Sequence, residues 1–170
     1  DISNYYAIMP KAGDMDTWER LLAEVHKRDM KLIMDLVVNH TSDQHPWFIE
    51  SRSSRDNPKR DWYIWRDPIN DKPPSNWRSY FTPSTWEYDE QTKQFYFHSF
   101  AIEQPDLNWE NPEVREAIYS MMRYWLDKGI DGFRLDAIAL LAKPKGYADV
   151  DNPEDIRYLT NNPGVHEYLQ

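Results

Sequence analysis

Gly132-Phe133-Arg134-Leu135-Asp136-Ala137-Ile138 is the stretch whose reading decides the fold. It follows a helix-like segment that stops at Lys128-Gly129-Ile130, so it predicts a strand entered from a helix. Side chains alternate along a strand, which puts Arg134 and Asp136 on one face and Phe133 and Leu135 on the other. A guanidinium two residues before a carboxylate favours its charged form and fixes its direction. An isolated Arg-x-Asp is most simply a structural ion pair, so its meaning depends on its surroundings.

Upstream, Lys31-Leu32-Ile33-Met34-Asp35-Leu36-Val37-Val38 is a nearly continuous apolar run of strand length, the pattern of a parallel strand buried on both faces. Asp35 interrupts it and needs a partner. An adjacent parallel strand would bring Arg134 beside it. Each strand follows a helix pattern. Over residues 14–29, Trp18, Leu21, Leu22 and Val25 recur at helical spacing behind a capping Asp14. Over residues 111–128, Asn111 caps, Pro112 takes the first helical position, Ile118, Met121, Met122, Trp125 and Leu126 form the stripe, and Gly129 ends it. Residues 1–8 are read as holding the tail of an earlier strand.

Residues 41–108 are far longer than an ordinary connection of about 2–6 residues between strand and helix. They contain a hairpin pattern: Ser84–Tyr88, a turn at Asp89-Glu90-Gln91-Thr92, then Gln94–His98. This segment is therefore expected to be an inserted subdomain. Residues 143–164 read as irregular, and residues 165–169 as helix. Helices alternating with parallel strands give an α/β protein, with polar motifs at the strands' C-terminal ends, where barrel and doubly wound folds place their chemistry. Neither strand is followed by the glycine fingerprint of dinucleotide binding.

The 170 residues suffice for a real core, and the net charge of -9 with scattered Lys and Arg argues against nucleic acid. There is no Cys, hence no disulfide framework and no thiolate metal site, which fits a cytoplasmic protein. No apolar run approaches the roughly 20 residues of a membrane helix. The chain opens on Asp1 and closes in a helix-like run, which leads us to expect a piece of something longer. Eight Trp and eleven Tyr suit sugar faces as well as they suit an aromatic core.

Three polar motifs sit where such a site is expected: Asp35-Leu36-Val37-Val38-Asn39-His40, Gln104-Pro105-Asp106-Leu107-Asn108-Trp109, and the Arg134–Asp136 pair. Asn39-His40-Thr41 is formally a glycosylation sequon, but a strand-end position makes it a false positive. Together the motifs resemble the α-amylase superfamily of glycoside hydrolases (family 13), in its oligo-1,6-glucosidase and α-glucosidase branch. Ser51-Arg52-Ser53-Ser54, Arg60-Asp61-Trp62-Tyr63-Ile64-Trp65 and Asn76-Trp77 are also similar to that branch.

The resemblance implies a partial TIM-type (β/α)8 barrel with an inserted domain B between barrel strand 3 and helix 3. Residues 1–40 would carry the end of strand 2, helix 2 and strand 3; residues 41–108 domain B; residues 109–170 helix 3, strand 4 and the region after that strand. It implies that Asp136 is the nucleophile forming a covalent glycosyl-enzyme, that Arg134 positions it, and that Asp35 braces Arg134. His40 and Gln104 would hold sugar hydroxyls, with Phe81, Phe100 and Ala137 near the pocket and Asn39 and Asp106 supporting it. The family's acid/base Glu and third carboxylate lie beyond this chain, and Glu87, Glu103 and Glu110 stand in the wrong context to replace them, so the chain alone is expected to be inactive. No cofactor is implied; a structural calcium is an option for the full-length parent only. The expected partner is an oligosaccharide or disaccharide substrate, with no nucleic acid and no membrane. Sucrose isomerases, trehalose-forming enzymes and the non-catalytic heavy subunits of amino-acid transporters share the resemblance. The last have no need of Arg134, Asp136 and His40 together.

Overall fold

The computed structural model describes residues 1–160, so the helix-like run at 165–169 lies outside the described residues. Helix α1 spans Met15–Lys27, strand β1 Ile33–Val37, helix α2 Pro46–Ser53 and the short strand β2 Trp65–Arg66. Strands β3 (Trp86–Asp89) and β4 (Gln94–Phe97), helix α3 (Pro112–Asp127) and strand β5 (Gly132–Asp136) come next in the chain.

The two helices that precede the parallel strands begin and end by the same physics. Asp14 accepts from the Thr17 amide at 2.8 Å and Asn111 from the Glu113 amide at 2.9 Å, each satisfying one of the amides that a helix start leaves unpaired. Both close with a left-handed residue and paired return bonds. In α3 this residue is Gly129 at φ +103°, with the Ile130 amide reaching the Trp125 carbonyl. In α1 it is Asp29 at φ +56°, with the Met30 amide reaching the Val25 carbonyl. The helix therefore stops at Lys27, short of residue 29, where the sequence reading ends it.

Strands β1 and β5 pair in parallel, with Asp35 opposite Arg134 and Val37 opposite Asp136. Leu36 and Val38 face a core with Trp18 and Leu22 of α1 and Val114, Ile118, Met121 and Trp125 of α3. The Trp18 and Trp125 rings meet edge-on at 5.0 Å. Fully burying a side chain such as Ile118 is worth about 1.5–3 kcal/mol, so this stripe, more than propensity, holds the layer. Leu21 and Leu126, counted in the stripes from spacing, lie exposed. Each sits at the flank of its helix, turned away from the sheet.

Two expectations fail here. Residues 1–8 contain no strand; Tyr5 is instead buried, its hydroxyl donating to the carbonyls of Val37 at 3.0 Å and His40 at 3.3 Å. Strand β1 is not buried on both faces either: Ile33 and Asp35 are exposed on one face, and Leu135 of β5 is exposed as well. Only one side of this two-stranded sheet has helices packed on it among the described residues.

The inserted region builds its own antiparallel sheet in the order β2-β4-β3. The β3–β4 hairpin matches the sequence pattern; the two-residue β2 has too short a pattern to be read. Trp77, Trp86, Phe97, Tyr147 and Leu159 form a second core beneath it. Residues 143–160 are irregular apart from a single 3-10 turn at Ile156–Leu159, as expected, but they are firmly docked. Asn76 exchanges bonds with Asp149 and Val150, and the Trp77 indole donates to the Ala148 carbonyl at 2.7 Å.

Candidate active site

The site lies where β1 and β5 end. On the uncovered face, Arg134 Nη1 donates to Asp35 Oδ1 at 2.8 Å and to Asp136 Oδ1 at 2.5 Å. Parallel pairing sets Asp35 directly opposite Arg134, and strand alternation sets Asp136 two residues on along the same face. The two carboxylates hold the guanidinium above its ordinary pKa, Asp35 first and Asp136 second. The side chains of Arg134, Asp35 and Asp136 are 58%, 55% and 31% exposed. Asp35 therefore has the partner its sequence context demanded, though it is not buried. The guanidinium engages Asp136 through Oδ1. Ala137 follows in a left-handed conformation at φ +50° and turns the chain sharply into the 3-10 turn at Ile138–Leu140. That conformation is rare outside glycine and marks a constrained corner.

Beyond the end of β1 the backbone runs into the second motif. His40 and Asp106 form an antiparallel bridge, the Leu107 amide donates to the Asn39 carbonyl at 2.9 Å, and the Thr41 amide to the Pro105 carbonyl at 3.2 Å. Two motifs 64 residues apart are thus zipped together by their main chains. The His40 ring is buried, edge-on to Phe100 at 5.2 Å, and burial pushes its pKa down, so it is neutral at pH 7. Gln104 Nε2 lies 3.3 Å from His40 Nε2 and donates to Asp1 Oδ1 at 2.7 Å; Asp1 Oδ1 is 3.5 Å from His40 Nε2. Phe81 stands exposed at the rim, its ring 5.6 Å from that of Phe100. The structure therefore gathers His40, Gln104, Phe100 and Phe81 into one polar and aromatic edge. The Asp136 charge is among those felt by His40.

Beneath this edge lies a sealed network. Asp106 is fully buried, accepting from the Ser99 amide at 2.9 Å and the Ser99 hydroxyl at 2.5 Å. Lys143 Nζ pairs with Asp106 Oδ2 at 2.7 Å and donates to Asn39 Oδ1 at 2.8 Å and to the Leu140 carbonyl. Burial pushes the Lys143 pKa down and Asp106 pulls it back up. Three acceptors converge on one ammonium, which has three protons to give. The Asn39 side chain is buried in this network, which closes it to glycosylation. Sequence reasoning missed Lys143 and Asp1. A single Lys before Pro144 in a loop carries the signature of a solvated residue, and Asp1 stands at the end of the sequence with no motif ahead of it.

Among the described residues no group of three His, Cys, Asp or Glu is placed to hold a metal ion, and no helix is long and apolar enough to cross a membrane.

Comparison with known proteins finds the family described as alpha amylase, catalytic domain, matching residues 1–170. The chain is 55% identical over 176 residues to the oligo-1,6-glucosidase of Parageobacillus thermoglucosidasius, covering 100% of the chain and 31% of that protein. It is 51% identical to the alpha-glucosidase of Schizosaccharomyces pombe, covering 99% of the chain and 31% of that protein. The crystal structure of the trehalulose synthase of Pseudomonas mesoacidophila superposes with a TM-score of 0.96 at 47% identity, over 100% of this chain and 31% of that one. The chain thus spans about a third of the length of the relatives it matches.

Proposed function

Since the chain belongs to the alpha-amylase catalytic-domain family, and its parallel strands and helices are part of a TIM-type barrel, we propose that it is the section of a longer retaining α-glucosidase that carries the nucleophile. The substrates are short malto- or isomalto-oligosaccharides. Of the described residues, 1–40 and 109–160 belong to the barrel, and residues 41–108 are the inserted domain B. In this reading Asp136 attacks the anomeric carbon and carries the glycosyl group as an ester until water releases it. Arg134 aims Asp136, and Asp35 braces Arg134 from the neighbouring strand. His40 and Gln104 bind hydroxyls, Phe100 and Phe81 flank the sugar, Ala137 bounds the pocket floor, and Asn39 and Asp106 hold His40 in place.

A retaining mechanism needs a second carboxyl group as acid and base. In this proposal a Glu further along the full-length protein supplies it, so the 170-residue chain alone is inactive. Two carboxyl groups suffice for the bond change, so no cofactor is required. A cytoplasmic setting rests on the absence of Cys from the sequence.

The observation that carries this reading is the single guanidinium bridging Asp35 and Asp136 at the strand ends, beside the His40–Gln104 edge. A second reading, an isomerase that rearranges sucrose, is supported by the likeness to the trehalulose synthase. Incubating the full-length protein with maltose, isomaltose, sucrose and trehalose separates the two. Glucose release from the first two without rearranged disaccharide from sucrose supports the glucosidase. Rearranged disaccharide as the main product from sucrose replaces it with the isomerase.

A further inference from the structure

We infer that Lys143 is a positioning residue that fixes which nitrogen of His40 carries the proton, so that His40 meets the substrate as an Nε2–H donor. The role given to the substrate rests on the reading above; the tautomer does not.

An ammonium can only donate, so the Asn39 amide atom 2.8 Å from Lys143 Nζ must be the oxygen. The amide nitrogen of Asn39 is thereby turned toward His40, 3.3 Å from Nδ1. A nitrogen facing a pinned N–H donor is favoured as an acceptor, which leaves Nδ1 unprotonated. In a neutral imidazole the proton then sits on Nε2.

The other side of the ring offers Nε2 two neighbours, an amide donor and a carboxylate. The Ala101 amide donates to Gln104 Oε1 at 2.8 Å, which turns the Gln104 amide nitrogen toward Asp1 and His40. Gln104 Nε2 and His40 Nε2 approach to 3.3 Å, and both face Asp1 Oδ1, at 2.7 and 3.5 Å. Nε2 thus faces an amide N–H donor at 3.3 Å and a carboxylate acceptor at 3.5 Å, and the charged acceptor is the stronger partner, so Nε2 keeps the proton. Each tautomer sets one pair of N–H groups against each other, at Gln104 in this one and at Asn39 in the opposite one, but only the opposite one leaves the Asp1 carboxylate facing a lone pair. Asp106 matters in this chain because it keeps Lys143 charged in a buried place, and the charged form is the one with three protons for three acceptors. A sugar hydroxyl entering here accepts from His40 Nε2 and has Asp1 within reach for its own proton.

The test is neutron diffraction on perdeuterated full-length protein, with kcat/KM for maltose measured alongside. The deuteron is expected on Nε2 of His40. In Asn39→Asp, a near-isosteric change that offers an acceptor to both Lys143 and His40 Nδ1, the deuteron should move to Nδ1. With it kcat/KM should fall about 10- to 100-fold, the worth of one misdirected buried hydrogen bond. Lys143→Met, if it folds, should lower kcat/KM by a similar factor. A deuteron on Nδ1 in the unaltered protein overturns the inference whether or not either variant folds. So does a deuteron that stays on Nε2 in Asn39→Asp, or kcat/KM within about twofold of normal in both variants. Should the protein cleave no α-glucoside while the deuteron sits on Nε2, the functional reading fails and the role of Lys143 stands.

Discussion

Two cations organise this site, and they do so in opposite surroundings. Arg134 bridges Asp35 and Asp136 on a face where all three are substantially exposed. Lys143 bridges Asn39, Asp106 and the Leu140 carbonyl in a place where its side chain is 7% exposed and that of Asp106 is not exposed at all. Exposed ion pairs are screened by water and salt and add little to stability. A buried pair is costly to assemble but far more costly to break on one side, because the survivor is left charged and dry. The exposed cation is therefore suited to directing chemistry, and the sealed one to holding architecture. Each can be probed by a change that weighs differently on activity and on stability.

The largest effect is expected at the exposed cation's client. Asp136→Ala in the full-length protein should lower kcat by about 10⁶-fold, equivalent to ~8 kcal/mol of barrier, with little change in the thermal midpoint. Steady-state kinetics with maltose and a melting curve check both halves. Lys143→Met should weigh chiefly on stability, lowering it by about 3–5 kcal/mol in urea unfolding because Asp106 loses its counter-charge, with a far smaller loss of activity than Asp136→Ala. Adding Asp106→Leu in the same protein should recover much of that loss. If the double variant is no better than the single, the pair is not what makes Lys143 matter.

A smaller effect is expected at the corner after Asp136. Ala137→Val places a β-branched side chain at φ +50° and fills space beside the leaving group. A methyl or two in a pocket is worth about 1–3 kcal/mol, so the ratio of kcat/KM for isomaltose over maltose should rise roughly 10- to 100-fold. A ratio that stays put would remove Ala137 from the pocket.

The sealed side should also set the response to acid. Burial pushes His45 down to about 4, and its Nδ1 caps α2 by accepting from the Trp47 amide at 3.1 Å. A histidine whose folded pKa lies below its unfolded 6.5 binds its proton more readily when unfolded. Its stabilisation is therefore complete above pH 6.5 and is lost as pH falls from 6.5 toward about 4. The urea midpoint should fall across that window, and His45→Asn, which keeps a capping acceptor and does not titrate, should flatten the decline. The smallest effect belongs to the brace. Asp35→Asn should leave the thermal midpoint within error at high salt, while lowering kcat through a looser Arg134.

The contrast between the two cations also explains what the sequence could and could not say. Arg134 and Asp136 were legible because a strand's period of two puts them on one face whatever the rest of the chain does. Asp35 needed only the added guess of a parallel neighbour, and the observed register supplies it. The hairpin and the starts of α1 and α3 were equally local, resting on turn residues and caps. Lys143 was not legible, because its partners come from residues 39 and 106 and a lone Lys in an irregular stretch has no period. The ends of the two helices make the same point on a smaller scale. Gly129 announces a left-handed stop, whereas Asp29 adopts the same conformation with a residue that carries no such announcement. The faces of β1 were misread because an apolar strand pattern records what can be buried, not which neighbours are present to bury it.

The central claim is that Asp136 forms the covalent bond to the sugar. A 2-deoxy-2-fluoro glucosyl fluoride, given to the full-length protein and followed by proteolysis and mass spectrometry, tests it directly. The account predicts one fluoroglucosyl group, attached to the peptide containing Asp136 and located on that carboxylate by fragmentation. A label on any other carboxylate would contradict it.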